Sequence, residues 1–92
     1  MGRALDEKRK KIDGIDARLA GLLARRFSIV RSMTGLKNKV RDTEREAMVL
    51  ERALGQVSDK SLHVYLRAVY REIMRQGRSI QASRSSANRK AK

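Results

Sequence analysis

Apolar residues recur along the first part of the chain with a seven-residue period. Leu5, Ile12, Leu19, Arg26, Met33 and Val40 form one series, and Lys8, Ile15, Leu22, Ile29 and Leu36 form the interleaved one. Together they give the a/d seam of a long helix from about residue 5 to about residue 38. Two charges interrupt it: Lys8 near the end, within reach of water, and Arg26 in the middle. At 1.5 Å per residue such a helix spans on the order of 50 Å. A compact chain of 92 residues has a radius of gyration of only about 12 Å. The residues left over are too few to cover the seam, so the pattern predicts a helical homodimer in which a second copy covers it. Gly14, Gly21 and Gly35 each weaken the helix by about 1 kcal/mol relative to alanine. Close helix–helix approach is one reason for glycines there.

The pattern then restarts twice. Thr43-x-x-Glu46 reads as a capping box opening a second helix near Asp42 or Thr43. Its stripe of Ala47, Leu50 and Leu54 ends at Gly55, a C-terminal stop. Ser58 reads as the cap of a third helix, whose stripe of Leu62, Leu66, Val69, Ile73 and Ile80 runs to about Ser83 with a polar break at Gln76 and Gly77. Proline is absent, β-branched residues are few, and no internal repeat is present. The expected fold class is all-α, with three helices: long, short and medium. Residues 1–83 form one helical domain, and residues 84–92, RSSANRKAK, form a basic tail expected to be disordered.

Charge adds a partner class without choosing its member. Lys and Arg total 23 against 10 acidic residues, a formal net charge of +13. Removing the four cations of the tail still leaves about +9. That balance points to an anionic partner: nucleic acid, an acidic membrane surface or a small anionic metabolite. Cysteine is absent, which excludes disulfides, thiolate metal sites and a cysteine nucleophile. The opening residues MGRALDEKRKKID lack the apolar run of a secretory signal, and no stretch approaches the roughly 18 apolar residues of a membrane span. A cytoplasmic location is expected.

No nucleophile–base set is visible. His63 is the single histidine and reads as a surface or packing residue. Metal-ligand spacing is absent, since Asp42 and Glu46 alone make a weak site, and no glycine-rich phosphate loop occurs. What remains is a set of cations and amides on helix faces. Arg26 and Lys37 are eleven residues apart, so on one continuous helix they share a face about 16 Å apart. A charge inside an apolar seam is costly unless paired. Arg26 therefore reads either as a buried salt bridge, to Glu46 or Glu72, or as the anchor of an anion pocket. Arg9 belongs by spacing to the solvated run Lys8–Lys11, and Gln81 reads as a surface amide one turn after Gly77.

Taken together these residues resemble the all-α class of chorismate mutase. The resemblance is carried by Arg9-x-x-Ile12-x-x-Ile15-Asp16, then Leu19-x-x-Leu22-Leu23-x-x-Arg26, Lys37, the block Val40-Arg41-Asp42-x-x-Arg45-Glu46, and Val69-Tyr70-Arg71-Glu72-Ile73-Met74 leading to Gln81. It covers about residues 5 to 83 and implies an intertwined helical homodimer with two active sites. It implies that Arg26 grips one carboxylate of chorismate, supported by Arg45, and that Arg9 reaches a carboxylate in the other protomer's site. Lys37 and Gln81 would hydrogen-bond the ether oxygen of the breaking C–O bond. Glu46 would accept from the ring hydroxyl, with the backbone around Asp42 assisting. The reaction is a pericyclic rearrangement to prephenate in aromatic amino-acid biosynthesis, with no proton transfer, no covalent intermediate, no cofactor and no metal. Two positions depart from the family pattern: Gly77 stands where many members carry a small hydroxyl residue, and the link from Lys37 to Asp42 is short.

Three rival readings remain. An isochorismate-pyruvate lyase would use the same fold and anion pocket. A basic helical module binding nucleic acid would explain the net charge, but Phe27 is the single aromatic in the first 64 residues and no groove-reading motif is evident. An inert dimerising coiled coil would explain the seam alone. The expected partners are chorismate and a second copy of the chain, with no nucleic acid and no membrane.

Overall fold

The computed structural model describes residues 2–36 and 42–91, with side chains described through residue 83. Among the described residues there are three α-helices and no strand: α1 (Gly2–Ser32), α2 (Thr43–Gly55) and α3 (His63–Ala91), with a 3-10 turn at Lys60–Leu62 leading into α3.

The heptad pattern outlasts the helix it predicts. α1 ends at Ser32, not near residue 38, because Gly35 takes a left-handed φ of 92° that side-chain-bearing residues avoid. The Ser32 hydroxyl donates to the Ile29 carbonyl at 2.6 Å, and the Leu36 N–H donates to the Met33 carbonyl, closing a turn rather than a further helical repeat. Gly35 is thus a terminator. Lys37, Val40 and Arg41 lie outside the described residues. The three-turn spacing of Arg26 and Lys37 does not apply, since the helix stops between them.

The second helix starts where the sequence placed it but without the Thr43 capping box, and the next cap falls one residue after Ser58. Asp42, not Thr43, caps α2: its backbone is extended and its Oδ1 accepts from the Arg45 N–H at 3.0 Å. Glu46 is thereby released from a capping box and turns toward α3. Asp59, not Ser58, caps the turn into α3, accepting from the Ser61 hydroxyl at 2.6 Å and the Ser61 N–H at 3.0 Å. These two bonds hold its carboxyl below the ordinary range. The His63 Nε2–H donates to the Val57 carbonyl at 2.6 Å, so this histidine ties the α2–α3 connection.

α3 continues to Ala91, past Ser83 where the periodic stripe stops. Gly77 is its single glycine, and no proline follows to break the helix. The polar break is bridged locally: Glu72 accepts from Arg75 Nε at 2.8 Å and from Gln76 at 2.9 Å. Arg75 first, then Gln76, lowers the Glu72 carboxyl to about 2.

Packing within the chain is sparse. The radius of gyration is 17.1 Å and the extents are 60 × 28 × 15 Å, well beyond a compact chain of this length. Met74, Gly77 and Gln81 are the buried positions among the described residues. α1 buries nothing fully, and Ile15, Leu22 and Ile29 of its seam are 61, 59 and 60 % exposed. A Cβ added at Gly14 or Gly21 would meet nothing within 4 Å, so neither glycine serves a close approach inside this chain. An open apolar groove of about 610 Å³ runs along α1 and α3, walled by Leu19, Leu22, Leu23, Leu66, Val69 and Ile73. No described helix is long and apolar enough to cross a membrane.

The cap assignment is testable. Asp42→Ala should destabilise the chain by about 1 kcal/mol, whereas Thr43→Ala should stay within about 0.5 kcal/mol of the parent. Urea denaturation of the two variants side by side measures this.

Candidate active site

The last turns of α1, the first turn of α2 and the middle of α3 enclose a cavity of about 130 Å³. Arg26, Asp42, Arg45, Glu46, Gly77 and Gln81 all line it, with Val30, Met33, Val49 and Met74 as its apolar wall and Arg78 as a further charged residue. Six of the eight residues singled out from the sequence therefore converge. Of the other two, Lys37 lies outside the described residues. Arg9 is exposed on α1, seventeen residues and so about 25 Å along the helix from Arg26, and does not line the cavity.

The salt-bridge reading of Arg26 fails. Glu72 is engaged by Arg75 and Gln76, and Glu46 is engaged by Arg78. Among the described residues Arg26 has no ion-pair or hydrogen-bond partner, although it is half-buried in the cavity wall. Arg45 makes no side-chain pair among the described residues either, being fixed by its backbone N–H on Asp42. Arg26, Arg45 and Arg52 also line an adjoining open hollow of about 300 Å³ that has no carboxylate in its wall. A half-buried guanidinium without a counter-ion among the described residues, flanked by the exposed Arg45 and Arg52, favours an incoming anion.

Gln81 is buried, at 3 % exposure, which corrects its reading as a surface amide. Its Nε2 donates to the Val30 carbonyl at 3.2 Å. Val30 sits in the last turn of α1, where its carbonyl also accepts from the Met33 N–H at 3.1 Å, so Gln81 ties that helix end to α3. A side-chain amide carries two N–H donors, and the second is left for the cavity. Gly77, one turn earlier, is buried without a left-handed φ. A Cβ there would meet only Val30 Cγ1, at an ordinary 3.6 Å. Neither backbone conformation nor packing demands glycine; its bare backbone enlarges the cavity.

Arg78 is the residue that sequence reasoning missed. Its Nη1 donates to both carboxylate oxygens of Glu46 at 2.7 Å, joining α3 to α2 across 32 residues. The sequence signal was weak: Arg71, Arg75 and Arg78 repeat at helical spacing like any solvated face. Asp42 gives its carboxylate to the helix cap, so it reaches the cavity chiefly as backbone and first-turn scaffold. Among the described residues no three His, Cys, Asp or Glu side chains gather to hold a metal. The cavity offers cations, an amide and one acceptor carboxylate. Such a set can bind and orient a small anion and stabilise negative charge as it develops.

The family's sequence model, described as chorismate mutase type II, matches residues 8–82. The chain belongs to that family. No curated protein and no solved structure gives a significant match. The matched span runs from the first turns of α1 past Gln81, so it includes every cavity residue named above. For a chorismate mutase family member, a cavity of arginines and an amide without a nucleophile–base pair is chemically coherent.

Gly77→Ala should raise the thermal unfolding midpoint, by up to about 1 kcal/mol of added stability, because the site admits the methyl group and alanine favours the helix. The same methyl group fills part of the cavity wall. Calorimetric melting checks the gain in stability, and ligand titration should show weakened binding in the same variant.

Proposed function

We propose that the protein is a chorismate mutase that rearranges chorismate to prephenate as a homodimer. The observation that carries this reading is Arg26: a half-buried cation with no counter-ion among the described residues, lining the same cavity as the buried amide of Gln81. In this reading Arg26, with Arg45 beside it, grips a carboxylate of the dianionic substrate. Gln81, together with Lys37, donates to the ether oxygen as the C–O bond breaks and a C–C bond forms elsewhere in the same molecule. Negative charge grows on that oxygen, so these donors bind the transition state more tightly than the ground state. Glu46 accepts from the ring hydroxyl. Holding the substrate in its compact reactive conformer supplies the remainder of the rate enhancement.

The dimer rests on separate support. The α1 seam is exposed along its length, the α1–α3 groove is apolar and open, and Gly14 and Gly21 face empty space within the chain. A second α1 packed antiparallel covers this surface and carries its Arg9 toward the Arg26 end of its partner. Among the described residues the cavity's third cation, Arg78, is engaged by Glu46, and Arg9 of a second chain would supply a cation for the other carboxylate.

Isochorismate-pyruvate lyase chemistry draws on the same cavity, and the Asp42-x-x-Arg45-Glu46 block favours the mutase because it provides an acceptor for the ring hydroxyl. Incubation with each substrate in turn separates them. Prephenate formed from chorismate is the expected product; salicylate and pyruvate from isochorismate, with chorismate untouched, would sink the mutase reading.

Mixing the inactive variants Arg9→Ala and Arg26→Ala tests the shared site. After subunit exchange half the dimers are mixed, each with one intact and one doubly defective site, so about a quarter of parental activity returns. Mixtures that stay inactive despite exchange would remove Arg9 from the partner's site.

A further inference from the structure

Arg78 has no part in the mechanism above, yet it holds one of the residues that does. Both oxygens of Glu46 accept from its Nη1 at 2.7 Å, and the two side chains are only 25 and 19 % exposed. The pair stands as a partition. On one side is the cavity with Arg26 and Gln81; on the other is a groove of about 420 Å³ between α2 and α3, and Glu46 and Arg78 line both.

We propose that Arg78 is a positioning residue that orients and neutralises Glu46 as acceptor for the substrate's ring hydroxyl. The inference rests on the mutase reading of the cavity. A half-buried ion pair contributes little net stability, because desolvation offsets most of the Coulomb attraction. Its consequence here is geometric and electrostatic. Free glutamate has three side-chain torsions to fix, and bonds to both oxygens fix the plane and the direction of the carboxylate. A carboxylate has about four acceptor positions, and the Arg78 contact takes two of them. Charge matters as much. Less cationic compensation at Glu46 would strengthen its repulsion of a dianion bound by Arg26 and Arg45, and Arg78 offsets that charge at the wall shared with the α2–α3 groove. Glu72 cannot draw Arg78 off, being occupied by Arg75 and Gln76.

A positioning role predicts a signature that a structural role does not. The hydroxyl contact is made in ground and transition states alike, so its loss raises KM and leaves kcat within about threefold. Arg78→Gln should lower kcat/KM by about 10- to 100-fold. Arg78→Lys, which keeps one charge on one oxygen, should recover part of the loss. In a Glu46→Gln background the Arg78→Gln substitution should cost less than about threefold, because nothing remains to position.

The experiment is a double-mutant cycle on chorismate turnover by the dimer, run with both Arg78→Gln and Arg78→Lys, with thermal melting of every variant. Strong coupling with a KM effect is expected. Additive losses mean that Arg78 acts on the substrate or elsewhere rather than through Glu46, and overturn the proposal. So does a loss confined to kcat, or one that follows the unfolded fraction in the melts. If Arg78→Gln does not fold, the lysine cycle decides alone by the same additivity criterion. Parental enzyme that fails to convert chorismate sinks the mutase reading and this proposal with it; active parental enzyme with an additive cycle sinks this proposal only.

Discussion

Met74, Gly77 and Gln81 lie at successive turns on one stripe of α3, and they are the positions that the described chain buries. Everything that converges on the cavity does so against this stripe. Val30 comes from α1, its carbonyl held by Gln81, and the first turn of α2 is held through Glu46 and Arg78. The core of the chain and the wall of the candidate site are therefore the same few residues. A small helical chain with 92 residues buries little surface by itself. Here the modest burial it achieves is concentrated where α1, α2 and α3 meet, and the long seam of α1 is left uncovered.

The fold class was legible because helical periodicity is a property of many residues at once. Three helices in the right order followed from seven-residue and three-to-four-residue spacings that survive local exceptions. Helix ends were less legible, because each rests on one residue's backbone. Met33 and Leu36 continue the apolar period past Ser32, where α1 ends, and a pattern of side chains carries no information about the φ of Gly35. The caps show the same limit. Asp42 and Thr43 are both good N-cap residues, as are Ser58 and Asp59, and side-chain geometry rather than propensity decides between neighbours.

The site was legible where a residue broke its own helix's pattern. Arg26 interrupts an apolar seam and Gly77 interrupts a helix, so each looks out of place along the chain itself, whereas Gln81 reads as a surface amide until the family resemblance singles it out. Arg78 does not look out of place. It sits among other arginines at helical spacing, and its meaning lies in a carboxylate 32 residues away on another helix. Spacing within one helix exposes residues that act on a ligand from that helix. It is blind to residues that act through a partner brought in by tertiary packing.

The allocation of charge links these points. The chain has far more cations than carboxylates, so most arginines must go without an acidic partner. What distinguishes the site is which cations the few carboxylates satisfy. Glu72 is spent on Arg75 at the exposed surface and Glu46 on Arg78 at the cavity's far wall, and Asp42 caps a backbone. Arg26 and Arg45 are left to face the cavity. Had Glu46 turned to Arg26, the chain would hold a self-satisfied ion pair and no anion pocket. Arg78 therefore does two things through one contact. In the proposed reading it fixes an acceptor, and by engaging Glu46 it leaves Arg26 available to an anion. A site that works by holding an anion requires both, since a cation neutralised by its own protein has little attraction left for a ligand.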